Sequence, residues 1–210
     1  MSVVPSVTTF VMGPQLPWPD DAPAADALGL LDPVALYEGG ERRACGVRKI
    51  SALGATIRGA VTEAPGAEVA VELATGQRPV GTIDWVAGGE AVRFRQPIDM
   101  LALLNRKLVD QPGERRTMPR VELRCRVGVK WGGNLAAATL RNISARGLQI
   151  EGEGLPPRDT FVSLFIDGLI VPAGEVVWSK GKLAGIELME ELAWSSIMPW
   201  IRETSRKTTH

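Results

Sequence analysis

The chain writes one segment twice. "VRKISALGATIRG" (Val47 to Gly59) returns 93 residues later as "LRNISARGLQIEG" (Leu140 to Gly152). Arg48, Ile50, Ser51, Ala52, Gly54, Ile57 and Gly59 match Arg141, Ile143, Ser144, Ala145, Gly147, Ile150 and Gly152. The displacement holds outward as well. Gly39-Gly40 falls on Gly132-Gly133, and Pro79, Gly81, Trp85 and Gly88 fall on Pro172, Gly174, Trp178 and Gly181. One extra residue then aligns "AVRF" (Ala91 to Phe94) with "GIEL" (Gly185 to Leu188). Self-similarity at a fixed displacement marks a supersecondary unit used more than once. A chain of 210 residues has room for two such units, each with its own core.

Within each copy, β-branched residues alternate with small or polar ones and Gly pairs separate the runs, the pattern of short strands joined by tight turns. In the second copy this predicts strands near 121–131, 135–143, 146–152, 160–167, 170–178 and 183–189, with "WGGN" and "IDGL" as hairpin turns. So many short strands hide their edges best in a small barrel or sandwich. A helical spacing follows each strand set. In "PIDMLALLNRKL", Leu101, Leu104 and Leu108 share a face; in "EELAWSSIMPWIRE", Trp194, Ile197, Met198 and Ile201 do so. Pro199 is expected to kink or restart the second helix.

Composition excludes several classes. With 45% hydrophobic and 23% charged residues and no long apolar run, the chain reads as an ordinary globular protein without a membrane span. Ten basic residues face thirteen acidic ones over 1–110, net −3, against fourteen and eleven over 111–210, net +3. The overall balance is zero, which gives no footprint for DNA or RNA, while an anionic ligand would prefer the second half. Cys45 and Cys125 are not matched between the copies and form neither a disulfide framework nor a metal set, which fits a reducing cytoplasm. Residues 1–30 lack a basic start and are broken by prolines, so they read as an irregular N-terminal arm and not as a secretory signal.

The positions that change between the copies carry the chemistry. "GERRTMPRVEL" sets Arg115, Arg116 and Arg120 on a segment after Gly113, and from Gly113 to Lys130 there are six basic and two acidic residues. Pro119 pushes Met118 toward an extended conformation, so the segment reads as the lead-in to a strand. Guanidinium groups suit phosphate oxygens, the O6/N7 edge of guanine and stacking on a purine; a carboxylate would also serve. Solvated surface charge is the plain alternative. In "NISARG", Asn142 and Ser144 can bond neighbouring backbone and present an amide and a hydroxyl outward, and Gly147 permits φ > 0 or close approach of a ligand.

Arg116-x-x-x-Arg120, then Asn142-x-Ser144-x-x-Gly147, then "GEVVW" and "AGIEL", resembles the PilZ domain, a small β-barrel with a C-terminal helix that binds the bacterial second messenger cyclic di-GMP. The resemblance covers about residues 113–205, and more faintly 31–109. It implies a mainly β protein of two tandem six-stranded barrels, each followed by a C-terminal α-helix. The domains are then the arm at 1–30, a degenerate PilZ-like domain at 31–109 and a PilZ domain with the ligand motifs at 110–210. By the same resemblance, Arg116 and Arg120 grip guanine edges and phosphates, Asn142, Ser144 and Gly147 hold the guanine and phosphate side against the barrel, and Arg115 and Arg146 are auxiliaries.

The first copy departs where it matters. Pro23 and Ala27 stand 93 residues before Arg116 and Arg120, and Lys49 replaces Asn142. Arg42 and Arg43 follow Gly39-Gly40 and so belong to a hairpin, not to a lead-in arm. The first copy therefore reads as a scaffold that has lost the ligand. Trp85 and Trp178 read as matched core or shelf residues, while Trp18, Trp194 and Trp200 are candidates for packing or for domain contacts.

The function expected is a cyclic di-GMP receptor whose ligand orders the Arg116 to Arg120 arm and changes how the barrels, or an effector protein, dock. The alternative is a PilZ-like interaction scaffold without ligand control. No catalytic or metal-ligating set is expected: the single histidine is His210, and there is no phosphate loop and no nucleophile with an evident base.

Overall fold

The computed structural model describes residues 8–18, 33–58, 64–73, 75–86, 89–110 and 120–208. The chain divides into two compact units, Met1–Pro119 and Arg120–His210. Unit 1 contains β1 (Thr9–Val11), β2 (Pro33–Glu38), β3 (Glu41–Ser51), β4 (Gly54–Arg58), β5 (Glu68–Glu72), β6 (Val80–Val86), β7 (Gly89–Phe94) and α1 (Met100–Asp110). Unit 2 contains β8 (Arg120–Trp131), β9 (Asn134–Ser144), β10 (Gly147–Glu151), β11 (Phe161–Ile166), β12 (Gly174–Lys180), β13 (Leu183–Leu188) and α2 (Trp194–Thr208).

Alternation builds unit 2. Along β11, Val162, Leu164 and Ile166 are buried while Phe161, Ser163 and Phe165 are exposed, so each strand gives one face to the core. Pairing runs β8–β9–β10–β13–β12–β11 and returns from β11 to β8, a closed six-stranded barrel that leaves no free edge. Its interior holds Val121, Val129, Leu140, Ile143, Ile150 and Val176, all fully buried. The helix α2 buries Trp194, Ile197, Met198 and Ile201, the stripe its spacing predicts. Trp200 is buried too, its indole N–H donating to the Asp167 carbonyl at 2.9 Å. Pro199 neither breaks nor restarts α2. It sits in the second turn on an exposed side, where the helix forgoes one backbone bond.

In unit 1 the pairings run β3–β2–β5–β6–β7–β4, with β4 returning to β3 and β1 added to β3 in parallel. The repeat extends to irregular features. A register break separates Val47↔Ile57 from Lys49↔Thr56, and another separates Leu140↔Ile150 from Asn142↔Gln149, the same bulge 93 residues on. The turn that follows is tied to the lead-in of the helix by the same two backbone bonds, from the N–H of Phe94 and Ile98 to the carbonyls of Leu53 and Ala52, and from Leu188 and Leu192 to Arg146 and Ala145.

Four expectations are corrected. Part of the segment read as irregular forms β1, because Thr9, Phe10 and Val11 find Lys49, Ile50 and Ser51 as partners far along the chain. The strand placed at 170–178 begins at Gly174: Pro172 has no N–H to donate, and Ile170 is exposed. The buried stripe of α1 is Met100, Leu103 and Leu104, with Leu101 half-buried. Asp99 caps this helix, its Oδ1 accepting the N–H groups of Leu101 and Ala102 at 3.0 Å; the side chain of Leu108 lies outside the described residues. Finally, Trp85 and Trp178 do not take matched places. The hairpin loops are equally short, between Val86↔Gly89 and between Lys180↔Leu183, and the extra residue of unit 2 is absorbed as a bulge between Val176 and Trp178. Trp85 therefore pairs with Glu90, whereas Trp178 pairs with Gly185, the counterpart of Ala91.

Candidate functional site

The core residues orient the site. Val121, Ile143 and Leu148 stand level on β8, β9 and β10 and point inward. Their neighbours Glu122, Asn142 and Gln149 are likewise level and take the outer face, because opposed residues on antiparallel strands share a side. Gln149 is opposite Gly185 on β13, and Gly185 is opposite Trp178 on β12. Glu122, Asn142, Gln149, Gly185 and Trp178 thus form one outer row across five strands. The bulge at Arg141 and Asn142 is what turns Asn142 outward between the inward Leu140 and Ile143, a use of bulges common beside binding sites.

Arg120 opens β8 and is exposed. One step beyond Val121↔Ile143, the antiparallel register sets it level with Ser144, next to the Glu122–Asn142 pair. Packing around its head lowers the guanidinium pKa and Glu122 offsets this in part; the group stays charged. Arg115 and Arg116 lie outside the described residues. Asn142 is buried at 6% exposure, its Nδ2 donating to Gln149 Oε1. Ser144 Oγ donates to the Gly147 carbonyl at 3.2 Å. Arg146 stands at the turn with its Nε 2.8 Å from Glu191 Oε1.

Gly147 does not adopt φ > 0. A Cβ there would run into the Ile186 carbonyl oxygen, and Gly54, its counterpart, meets the Val92 carbonyl in the same way at 2.6 Å. The close approach is thus to strand backbone, and it recurs in the first copy, where Lys49 replaces Asn142.

Gln149 carries no signal in the sequence, and Trp178 reads there as core or shelf and not as a stacking platform for ligand. Gln149 holds the Asn142 amide in place. Trp178, 39% exposed, lays its indole across Gly185, where any Cβ would overlap the ring. The signal for Trp178 is the pair of Trp with an opposed Gly, which becomes visible only once the bulge sets the register.

In unit 1 the place that the start of β8 holds beside β9 is taken by β1. Thr9, Phe10 and Val11 pair with Lys49, Ile50 and Ser51, the counterparts of Asn142, Ile143 and Ser144, and Thr8 Oγ1 donates to the Val47 carbonyl at 2.8 Å. Trp18 reaches to 3.2 Å of where a Gly54 Cβ would stand and lies 5.2 Å under the Arg93 guanidinium. Lys49, Ser51 and Thr56 are buried. Arg42 and Arg43 lie on the β2–β3 hairpin and face Glu72, Glu38 and Glu41.

Burial pushes the thiols of Cys45 and Cys125 up to about 11, so both are protonated at neutral pH. Among the described residues no group of His, Cys, Asp and Glu could hold a metal ion, and no helix is long and apolar enough to cross a membrane.

Residues 114–193 match the PilZ domain family. Among solved structures, the chain is similar to the Borreliella burgdorferi PlzA protein in complex with c-di-GMP, at 11% identity and a TM-score of 0.31, covering 81% of this chain and 86% of that one. It is similar to the Bacillus subtilis inhibitor of motility MotI/DgrA at 16% identity and 0.32, covering 85% and 96%. It is also similar to Escherichia coli YcgR in complex with c-di-GMP at 11% and 0.26, covering 84% and 82%. No curated protein matches the sequence.

Proposed function

With a PilZ domain at residues 114–193 as premise, we propose that unit 2 is a receptor for cyclic di-GMP and that the ligand lies along the outer row from Glu122 to Trp178. The observation that carries this reading is the β8–β9 register, which brings Arg120 level with Ser144 beside Asn142. Arg120, with Arg116 and Arg115 from the preceding segment, grips guanine edges and phosphate oxygens, for which the planar guanidinium fork is suited. Asn142 and Ser144 supply an amide and a hydroxyl, and Gly147 keeps the turn close to β13 and free of a side chain. Trp178 offers a flat face to a base, and Arg146 adds a second charge at the turn.

Unit 1, residues 31–109 with the arm, is a second PilZ-like barrel that keeps the frame without the ligand. Beside β3, Val11 and Phe10 take the positions that Arg120 and Val121 take beside β9, so the described residues of unit 1 present no guanidinium at that strand position. Output runs through the turn. When Arg146 engages the ligand it leaves Glu191, and the bonds from Leu188 and Leu192 to Arg146 and Ala145 carry the change into the lead-in of α2 and to an effector protein.

The test is calorimetric titration of the full chain with cyclic di-GMP. Saturable micromolar or tighter binding is expected, weakened about tenfold or more by Arg120→Ala or Arg116→Ala, since a charge-assisted hydrogen bond contributes ~1.5–3 kcal/mol. A parent protein that gives no saturable binding overturns the receptor reading.

A further inference from the structure

The outer face of β11, β8 and β9 carries three large apolar side chains in solvent: Phe161 at 62%, Phe165 at 56% and Leu135 at 73% exposure. They are neighbours by register. Ser163, between the two phenylalanines, is opposite Lys130, and Lys130 is opposite Leu135. Phe165 is opposite Gly128, and its ring leans over that glycine, 3.6 Å from where a Cβ would stand. The two phenylalanines form an apolar shelf along β11, with Leu135 on the far side of Lys130.

The internal repeat shows that the fold does not require this shelf. Residues 93 positions earlier are Glu68 for Phe161, Glu72 for Phe165 and Arg42 for Leu135. There the same face is closed by charge: Glu68 pairs with Arg95, and Glu72 takes Tyr37 Oη at 2.6 Å, Arg78 at 2.9 Å and Arg42 at 3.6 Å. The same strands in the same register are thus stable with a solvated ionic network at these positions. In unit 2 all three are exchanged for large apolar groups, which cost solubility and are left uncovered.

We propose that this face is a self-association surface, on which two copies of the chain meet through β11 about a two-fold axis. The charges beside the shelf select a second copy. Glu175 on β12 stands opposite Phe161 on one side of β11, and Lys130 stands opposite Ser163 on the other. Neither takes an ion-pair partner among the described residues. An isologous contact uses the same patch on both partners, so stacking Phe161 and Phe165 on their symmetry mates sets each Lys130 toward the other copy's Glu175. One rotation covers the apolar shelf and pairs both charges. Three large side chains make less than the roughly 800 Å² per partner of a standard interface, so the dimer forms in the micromolar range.

The surface uses none of the residues assigned to ligand, so its fate is separable from that of the receptor reading. The test is sedimentation velocity on the full chain from low to high micromolar concentration, without nucleotide. A reversible monomer–dimer equilibrium is expected. The double variant Phe161→Glu, Phe165→Glu introduces the residues that unit 1 already carries there and should stay monomeric at every concentration with an unchanged circular dichroism spectrum. Lys130→Glu should weaken the dimer, and adding Glu175→Lys should restore it. A parent that is monomeric throughout, a dimer that survives the double glutamate variant, or a charge swap that fails to restore association each overturns the proposal. So does a monomeric parent whose shelf captures another protein.

Discussion

The indole of Trp178 lies across Gly185 so closely that no side chain could replace the glycine hydrogen. The pair ends the outer row that begins at Glu122, and it arises because the extra residue of unit 2 is spent as a bulge before Trp178. In unit 1, without the bulge, the counterpart of Gly185 is the fully buried Ala91.

If the indole is a shelf for a base, Trp178→Ala should weaken cyclic di-GMP binding by about five- to a hundredfold, since base–aromatic stacking is worth roughly 1–3 kcal/mol per base. Gly185→Ala should lift the ring and do much the same. Calorimetric affinity for both variants equal to that of the parent would remove Trp178 from the site.

Arg120→Lys separates charge from shape. Lysine keeps the positive charge but loses the two-pronged geometry, so affinity should fall nearly as far as in Arg120→Ala while its salt dependence stays close to that of the parent. Titrations at two ionic strengths read both quantities.

Arg146 is paired with Glu191 at 2.8 Å, so on the proposed reading the carboxylate competes with the ligand for it. Glu191→Gln should tighten binding severalfold, and because an exposed ion pair contributes only about 0–1 kcal/mol, the melting temperature should barely move. A weaker affinity in this variant would place Arg146 outside the site.

Phe10 is 1% exposed within unit 1. Phe10→Ala should destabilise that unit by about 3–5 kcal/mol, the usual cost of truncating a buried aromatic ring, and open exchange at β3 amides. Ligand affinity, measured where the variant is folded, should be unchanged. An additional cyclic di-GMP site appearing in unit 1 would show that the segment masks a working pocket.

Glu72 is held below the usual carboxylate range chiefly by the Tyr37 hydroxyl, then by Arg78 and Arg42, and Glu151 by its hydrogen bond and charge contact with Arg141. Both have a lower pKa folded than unfolded, so their stabilisation is complete above the unfolded carboxylate value and is lost as pH falls through the folded one. Melting temperature should therefore decline on acidification below about pH 5, and Glu151→Gln should flatten part of that slope. An identical pH profile in the variant would exclude Glu151 as a contributor.

Much of the frame was readable from letters. The 93-residue displacement predicted a second unit, and the structure repeats it to the level of a shared bulge and shared turn bonds. The stripe of α2 followed from Trp194, Ile197, Met198 and Ile201, because a helix repeats its faces over distances the sequence displays directly. In α1, Leu104 is buried as its spacing predicts, but Met100 and Leu103 share that burial and Leu101 is only half-buried, and the strand at 170 starts late because Pro172 has no N–H to donate.

The site was readable only in part. Arg120, Asn142 and Ser144 are implied by the resemblance to the PilZ motifs, and the register between β8 and β9, continued one residue beyond Val121↔Ile143, is what sets Arg120 level with Ser144. Gly147 does not show the positive φ its turn suggests, and a Cβ there would meet the Ile186 carbonyl on a strand about forty residues away. The letters align Trp178 with Trp85, but the inserted residue shifts the register, so that Trp178 pairs with Gly185 while Trp85 pairs with Glu90.

By itself the amino-acid order determined that there are two like units, that they are built of short strands closed off by a helix, and that only the second keeps arginines ahead of its Asn-x-Ser turn. These are local or periodic properties, set by side-chain shape and polarity along the chain. Only the tertiary structure decided which side chains share the outer row, that β1 takes the place of the start of β8 in unit 1, and that Phe161, Phe165 and Leu135 are exposed on one face. Those relationships depend on strand register and on contacts between distant segments, which no local preference encodes.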